Sequence, residues 1–453
     1  MPIDLLIHDA DVVTSQGVQR LDVAVDGGAI MELTPAIRTT ARREINAAGL
    51  HLFPGLIDAH VHFNEPGRTD WEGFDTGSAA LAAGGGTCFI EMPLNAHPPT
   101  LDGESFDRKL AAATANSRTD FALWGGLTPA NLGTMEELAD RGVVGFKAFM
   151  SDSGIDDFGR ADDLTLYRGM QMAAKLGLPV AVHAESEELT RRLSAEARSQ
   201  GRTSIADYLA SRPIIAEVDA IRRAIAFAQD TGCSLHIVHV SSAQGCREVA
   251  AVRQAGTPGP LQQITCETCP HYLSFTERDV QSIGAPAKCA PPVRSEAEVA
   301  RLWGELEAGR FDLVASDHSP APPDMKTDAD FFKVWGGIAG VQSTRAVLLS
   351  RTPALPLPQV ARLTSTHVAG RFRLPNKGDL APGFDADFAL IDLGQQFTLS
   401  RDMLLDRHRL SPYVGRRFRG EVRETWVRGE SVYRDGKAAT AFRGRLVKPV
   451  RGR

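Results

Sequence analysis

Short apolar runs alternate with Ala- and Leu-rich helix-like segments about eight times between Phe53 and Pro375, and this alternation limits the chain to few folds. The strand-like runs are Gly55–His62, Gly86–Met92, Phe121–Leu127, Val143–Phe149, Pro179–His183, Leu235–Val240, Gln262–Cys266 and Phe311–Asp317. Segments of helical period lie between them, among them Thr76–Ala83, Leu164–Leu176, Glu217–Asp230, Ala243–Gln254 and Glu296–Glu307. Repeated strand–helix units predict a parallel sheet with helices outside it, and eight of them close a barrel. The ends read differently: Leu5-Leu6-Ile7, Asp22–Val25 and Ala29–Met31 near the start, and Ala386–Asp392, Val422–Val427 and Glu430–Tyr433 near the finish, are short strands with tight turns. The expected fold is therefore an α/β (β/α)8 TIM-like barrel over residues 53–375, flanked by a small β-sandwich built from residues 1–52 and 376–453.

Several classes of function are disfavoured. Fifty Lys and Arg against fifty-six Asp and Glu leave a net charge of −6 with no basic block, which argues against nucleic acid or an anionic membrane as partner. The N-terminus, Met1-Pro2-Ile3-Asp4, lacks the basic start and apolar core of a signal peptide, and no long apolar segment follows, so a cytoplasmic location is expected. The six cysteines are then expected to be mostly reduced, and Cys266-Glu267-Thr268-Cys269 reads as two buried thiols rather than a redox-active pair or half of a zinc site. The Arg-rich tail from Arg443 to Arg453 reads as a mobile or packed end.

The chemistry of a parallel barrel sits at the C-terminal ends of its strands, and here those ends carry metal-ligating groups. The first run ends in His60-Val61-His62, whose i, i+2 spacing puts both imidazoles on one face of a strand. Four further runs end in Lys147, His183, His239 and Asp317. Counting back by two makes Gly145, Ala181, Ile237 and Ala315 their inward neighbours and turns Val144, Phe146, Val180, Val182, Val238 and Val314 towards the helices. Three of those inward residues are small and leave space below a site. By the same count His236 and His318 are outer-face or supporting residues, His8 lies at the surface, and His97, His367 and His408 fall in loops or helices. His271, in Cys269-Pro270-His271-Tyr272, either approaches a substrate or holds its loop.

An ammonium directly after an apolar strand must lose its charge, find a carboxylate or be chemically changed. A neutral Lys147 amine can take up carbon dioxide as a carbamate (N6-carboxylysine), a two-oxygen anion able to bridge two metal ions. Four imidazoles, that carbamate and Asp317 suffice for two divalent ions that keep positions open for water, with zinc, cobalt, manganese and iron all suited. A bridging hydroxide would then be the nucleophile, and Asp317 would take its proton and pass it to a departing nitrogen.

These residues, in this order, resemble the cyclic amidohydrolases of the amidohydrolase superfamily, which include allantoinases, dihydroorotases and hydantoinases. The resemblance spans Pro54–His62, Gly84–Thr87, Gly145-Phe146-Lys147, Val182–Glu185, Val238–Ser242, Cys269–Tyr272, Ser316–Pro320 and Lys377–Asp387. It implies that His60, His62 and Asp317 hold one metal, that His183 and His239 hold the other, and that carboxylated Lys147 bridges them.

The resemblance also speaks to substrate. Dihydroorotases carry an Arg where this chain has Asn64 and an Asn where it has Leu94, and neither replacement offers the guanidinium fork that grips a carboxylate. Hydantoinases carry a Tyr donor where this chain has Asp152, an acceptor. Glu65–Arg68, Trp71–Phe74, Met92–Asn95, Val334–Gly340 and Ser411–Gly415 resemble allantoinase signatures, implying hydrolytic opening of the hydantoin ring of allantoin to allantoate. Backbone groups at Ala290 and Gly336 would meet the ring imide, and a homotetramer is the expected assembly. Hydantoinase, dihydropyrimidinase and dihydroorotase activities are the near alternatives, and a non-catalytic scaffold is the distant one.

Overall fold

The computed structural model describes residues 2–256 and 263–451. Eight short parallel strands follow one another around a ring: Leu56–Val61, Gly86–Glu91, Asp120–Leu123 continued by Gly125–Gly126, Phe146–Phe149, Val180–His183, Leu235–Ile237, Ile264–Thr268 and Leu313–Val314. The third is broken at Trp124, whose amide still donates to the Glu91 carbonyl at 3.0 Å. The ring closes where Val61 bridges His318 in parallel and the His62 amide donates to the His318 carbonyl at 2.7 Å. Gln262, the expected start of the seventh run, lies outside the described residues.

Local chemistry delimits the helices between these strands. Asp102, Asp162, Ser242 and Ser295 accept hydrogen bonds from exposed amides at helix starts. Gly142, Gly177 and Gly232 end helices in the left-handed conformation that glycine adopts without steric cost. No helix among the described residues is long and apolar enough to cross a membrane.

Two apolar layers result. Phe146, Val180, Val182, Ile237 and Val314 pack in the layer that also holds helix residues such as Leu166, Ile221 and Leu302. Trp124, Val144, Ala181, Val238, Ala315 and Phe372 pack together in a second cluster, the barrel interior. Counting by two was right for Gly145, Ala181 and Ala315 but not for the sixth strand. There Ile237 faces the helices, while Val238 and His236 lie inside, with the His236 ring edge-on to Phe372 at 5.7 Å. Val144, just before its strand begins, also joins the interior. The space beside Gly145 is filled: a Cβ there would lie 2.6 Å from the Trp124 ring.

The flanking layer is one nine-stranded sheet contributed by both chain ends. Its seam is His51–Pro54, which pairs antiparallel with Phe388–Ile391 and, through His51 and Leu52, parallel with Asp11 and Val12. That strand leads straight into the first barrel strand, so sheet and barrel share a backbone. The sheet folds back where Ala29 bridges Asp385, enclosing Leu5, Ile7, Val23, Phe388 and Trp426. The Arg-rich tail is packed rather than free: Leu446 bridges Phe121, and the Val447 amide donates to the Phe121 carbonyl at 2.7 Å. Residues 452 and 453 of that tail lie outside the described residues.

A buried ionic knot fastens the two layers. Lys377 Nζ lies 2.6 Å from Asp120 Oδ2 on the third barrel strand, and 2.7 Å from both Asp385 Oδ2 and Asp387 Oδ2 at the sheet. Arg428 adds a second cation on Asp120. The three carboxylates have the spacing of a metal site, but the ammonium already sits among them. Removing one partner from a buried network leaves uncompensated charge, so Lys377→Met is expected to destabilise the fold by about 3–5 kcal/mol in chemical denaturation. Adding Asp120→Asn is expected to recover part of that loss.

Candidate metal centre

At the C-terminal mouth of the barrel, His60, His62 and Asp317 present ligand atoms within 4.8 Å of one another. Asp317 Oδ1 lies 3.2 Å from His60 Nε2 and 3.5 Å from His62 Nε2. A second pair stands alongside, with His183 Nδ1 and His239 Nε2 separated by 3.0 Å. The His60 ring centroid is 5.4 Å from those of both His62 and His239, so the two groups form one continuous site. Lys147 is fully buried, its Nζ 4.8 Å from the Phe149 ring centroid and, among the described residues, without a hydrogen-bond partner. All six residues proposed from the sequence thus lie at one end of the barrel.

Two of them get there by strained backbone. His239 has φ 40° and Asp317 has φ 47°, left-handed conformations that non-glycine residues seldom adopt. A left-handed residue interrupts strand alternation, which is why His239 enters the site although Val238 before it is interior.

Two carboxylates absent from the sequence-based set hold the imidazoles in place. Glu267, wholly buried on the seventh strand, accepts from His60 Nδ1 at 2.6 Å, His236 Nε2 at 3.0 Å and the His239 amide at 3.2 Å. Glu185 lies 2.9 Å from His183 Nε2 and is itself paired with Arg212. These bonds direct Nε2 of His60 and Nδ1 of His183 towards the site. His236 is therefore a supporting residue beneath it. His318 faces outward, its ring edge-on to Phe63 at 5.7 Å and its Nδ1 accepting from the Gly340 amide at 3.1 Å. His271 is buried beside Tyr272, and neither of its ring nitrogens has a hydrogen-bond partner among the described residues.

The electrostatics suit cations. Burial pushes His62 and His271 down to about 4 and His239 well below its ordinary value, so these imidazoles are neutral bases. Burial also pushes the Lys147 amine down to about 7, against the opposing pull of Asp317 and Glu267. Burial alone would raise Asp317, but His60, a hydrogen bond from His62 and the proximity of His239 hold it far below the usual carboxylate range. Glu267 is held at about 2, against burial, chiefly by His60 and His236. Neutral imidazoles, one anionic carboxylate and a buried amine lacking a hydrogen-bond partner among the described residues fit divalent metal ions better than they fit one another.

A cavity of about 550 Å³ opens over this group, lined by His60, His62, His183, His239 and Asp317 at its floor and by Phe149, Asp152, Ala290, Trp335 and Gly336 on its walls. Leu94 also lines it, whereas Asn64 is buried and donates to the Pro320 carbonyl at 3.3 Å. All six cysteines are buried free thiols.

Comparison with known proteins agrees with this geometry. Residues 51–432 match the amidohydrolase family. The allantoinase of Deinococcus radiodurans is 53% identical over 99% of both chains, and that of Rubrobacter xylanophilus is 54% identical over 99% of this chain and 98% of its own. Among solved structures, the L-hydantoinase of Arthrobacter aurescens superposes with a TM-score of 0.95 at 32% identity, covering 98% of this chain and 100% of that one. A dihydropyrimidinase from Brevibacillus agri follows at 0.90 and 29%, covering 99% of each chain. Strand order, the convergence of His60, His62 and Asp317 across the barrel's closing seam, and a match over most of the sequence have one explanation: this chain belongs to the amidohydrolase family.

Proposed function

We propose that this protein opens the hydantoin ring of allantoin by hydrolysis, giving allantoate. The observation that carries this reading is the combination of a cavity floor of four histidines and Asp317 with full-length identity of 53–54% to proteins named allantoinase. Hydantoin or dihydropyrimidine hydrolysis is the second reading, favoured by the likeness to hydantoinase structures. Against it stands Asp152, which lines the cavity where hydantoinases carry a tyrosine donor.

In this reading His60, His62 and Asp317 would hold one divalent ion and His183 and His239 a second, with Lys147, once carboxylated, supplying a further anionic group to both. When bound, the ions supply a lowered water pKa and polarisation of the ring carbonyl. The side chains do the rest. The Asp317 carboxylate takes a proton from water as the water oxygen adds to the carbonyl carbon, and returns it to the ring nitrogen as the C–N bond breaks. Backbone groups of Ala290 and Gly336 orient the ring, and Phe149 and Trp335 shield it from bulk water. Glu267 and Glu185 fix the histidine tautomers. Zinc, cobalt, manganese and iron all suit the donor set, with zinc our first choice. We assign catalysis to residues 53–375, with residues 1–52 and 376–453 as the flanking unit, in a cytoplasmic homotetramer.

Three outcomes are expected. Among allantoin, hydantoin, dihydrouracil and dihydroorotate, the purified enzyme is expected to show its highest kcat/KM with allantoin; turnover of dihydroorotate alone would sink the reading. Metal analysis is expected to find about two divalent ions per chain, and Glu267→Gln to bind them about 10–100-fold more weakly. A metal-free preparation with full activity would contradict this. Lys147→Ala is expected to lose activity by a factor on the order of 10³ or more and to regain part of it with a short-chain carboxylic acid, which offers two oxygens in place of the carbamate. Full activity without any such supplement would remove Lys147 from the mechanism.

A further inference from the structure

The wall of the cavity that includes Gly336 is an irregular segment, 331–337, held by two lysines from outside it. Lys288 Nζ donates to the carbonyls of Phe331 at 2.6 Å, Phe332 at 3.2 Å and Val334. Lys326 Nζ donates to the carbonyls of Trp335 at 2.9 Å and Gly337 at 2.7 Å, and more distantly to that of Ala285 at 3.4 Å. Five of seven consecutive carbonyls thus point at two ammonium groups, which leave only those of Lys333 and Gly336. An ammonium has three donors and no acceptor, so each lysine can fix three carbonyls at once.

The same groups tie this wall to its neighbour. Lys288 lies two residues before Ala290, and its carbonyl accepts from the Gly337 amide at 2.7 Å. Its Nζ stands 4.5 Å from the Tyr208 ring centroid, and the Tyr208 hydroxyl donates to the Cys289 carbonyl at 2.9 Å. Gly337, at φ 140°, is pressed against the Ser319 carbonyl so closely that a Cβ would lie 2.1 Å from it. That contact sets the loop two residues beyond Asp317.

We propose that Lys288 and Lys326 are positioning residues that determine ring specificity, locking the backbone of 331–337 so that Gly336 and Ala290 form a preformed slot for a cyclic amide or imide. This rests on the proposed hydrolysis of such a ring in the cavity. Neither lysine belongs to the proposed metal set, so their loss acts on ring binding rather than on the ions. A slot that holds substrate and transition state alike contributes to KM more than to kcat.

The test compares Lys288→Met and Lys326→Met with wild type as metal-loaded holoenzymes. Expected are two ions per chain as in wild type, kcat within about threefold, KM for allantoin raised about tenfold or more, and amide hydrogen exchange in 331–337 accelerated about tenfold or more. Folded variants with wild-type KM and wild-type exchange would overturn the proposal. So would a collapse of kcat with metal loss at unchanged KM, which would make the lysines supports of the metal ligands. If Lys288→Met does not fold, Lys326→Met, at the more exposed lysine, decides alone. If wild type hydrolyses hydantoin but not allantoin, the substrate reading fails while the same comparison run on hydantoin still judges the clamp. The exchange measurement needs no substrate.

Discussion

The hydrogen bond from the His62 amide to the His318 carbonyl closes the ring of strands, and the site exists only because the ring is closed. His60 and His62 end the first strand, while Asp317 lies just past the last, more than two hundred and fifty residues later. A parallel strand order with one closing seam brings them together without any local turn. A buried carboxylate reinforces each side: Asp58 accepts from the Ser316 amide at 3.0 Å across the seam, and Glu267 accepts from His60 and from the His239 backbone. Burial turns these contacts into constraints, because neither carboxylate has water to fall back on.

The same burial sets the chemistry. With water excluded, burial pushes the His62 and His239 imidazoles and the Lys147 amine towards their neutral, electron-donating forms, while facing histidines hold Asp317 and Glu267 in their charged forms against burial. Strain adds to the organisation: His239 and Asp317 sit at positive φ, and such residues persist only where surrounding structure over-determines them. The converging histidines and Asp317, the carboxylates that bond to them and the wall hydrogen-bonded to Lys288 and Lys326 are then parts of one pocket.

Much of this was legible in the sequence. Strand order, the helix Glu296–Glu307 and the gathering of the six residues at one barrel end follow from the alternation of apolar runs and from what terminates them, although Lys147 stands second in the strand Phe146–Phe149 rather than at the end of a run. The parity argument failed at the sixth strand, because the left-handed turn at His239 cannot be seen in Leu235–Val240 and shifts every residue behind it to the other face. Glu267 was missed because the seventh run was read as ending at Cys266, whereas the strand continues through Thr268. A carboxylate inside an otherwise apolar strand was the available signal, since such a group needs a partner. Lys288 and Lys326 gave no signal, because their partners are backbone carbonyls of an irregular loop, and carbonyls carry no sequence identity. Asn64 was read for substrate by what it replaces and not by contact, for it is buried against the Pro320 carbonyl and does not line the cavity.

The central claim is that burial and barrel closure build a two-ion site bridged through Lys147. Anomalous diffraction at the metal edge, from crystals of active protein prepared without chelators, tests it most directly. The account predicts two peaks, one against His60, His62 and Asp317 and one against His183 and His239, with electron density for a carboxyl group on Lys147 between them. A single peak, or an unmodified Lys147 in active crystals, would contradict it.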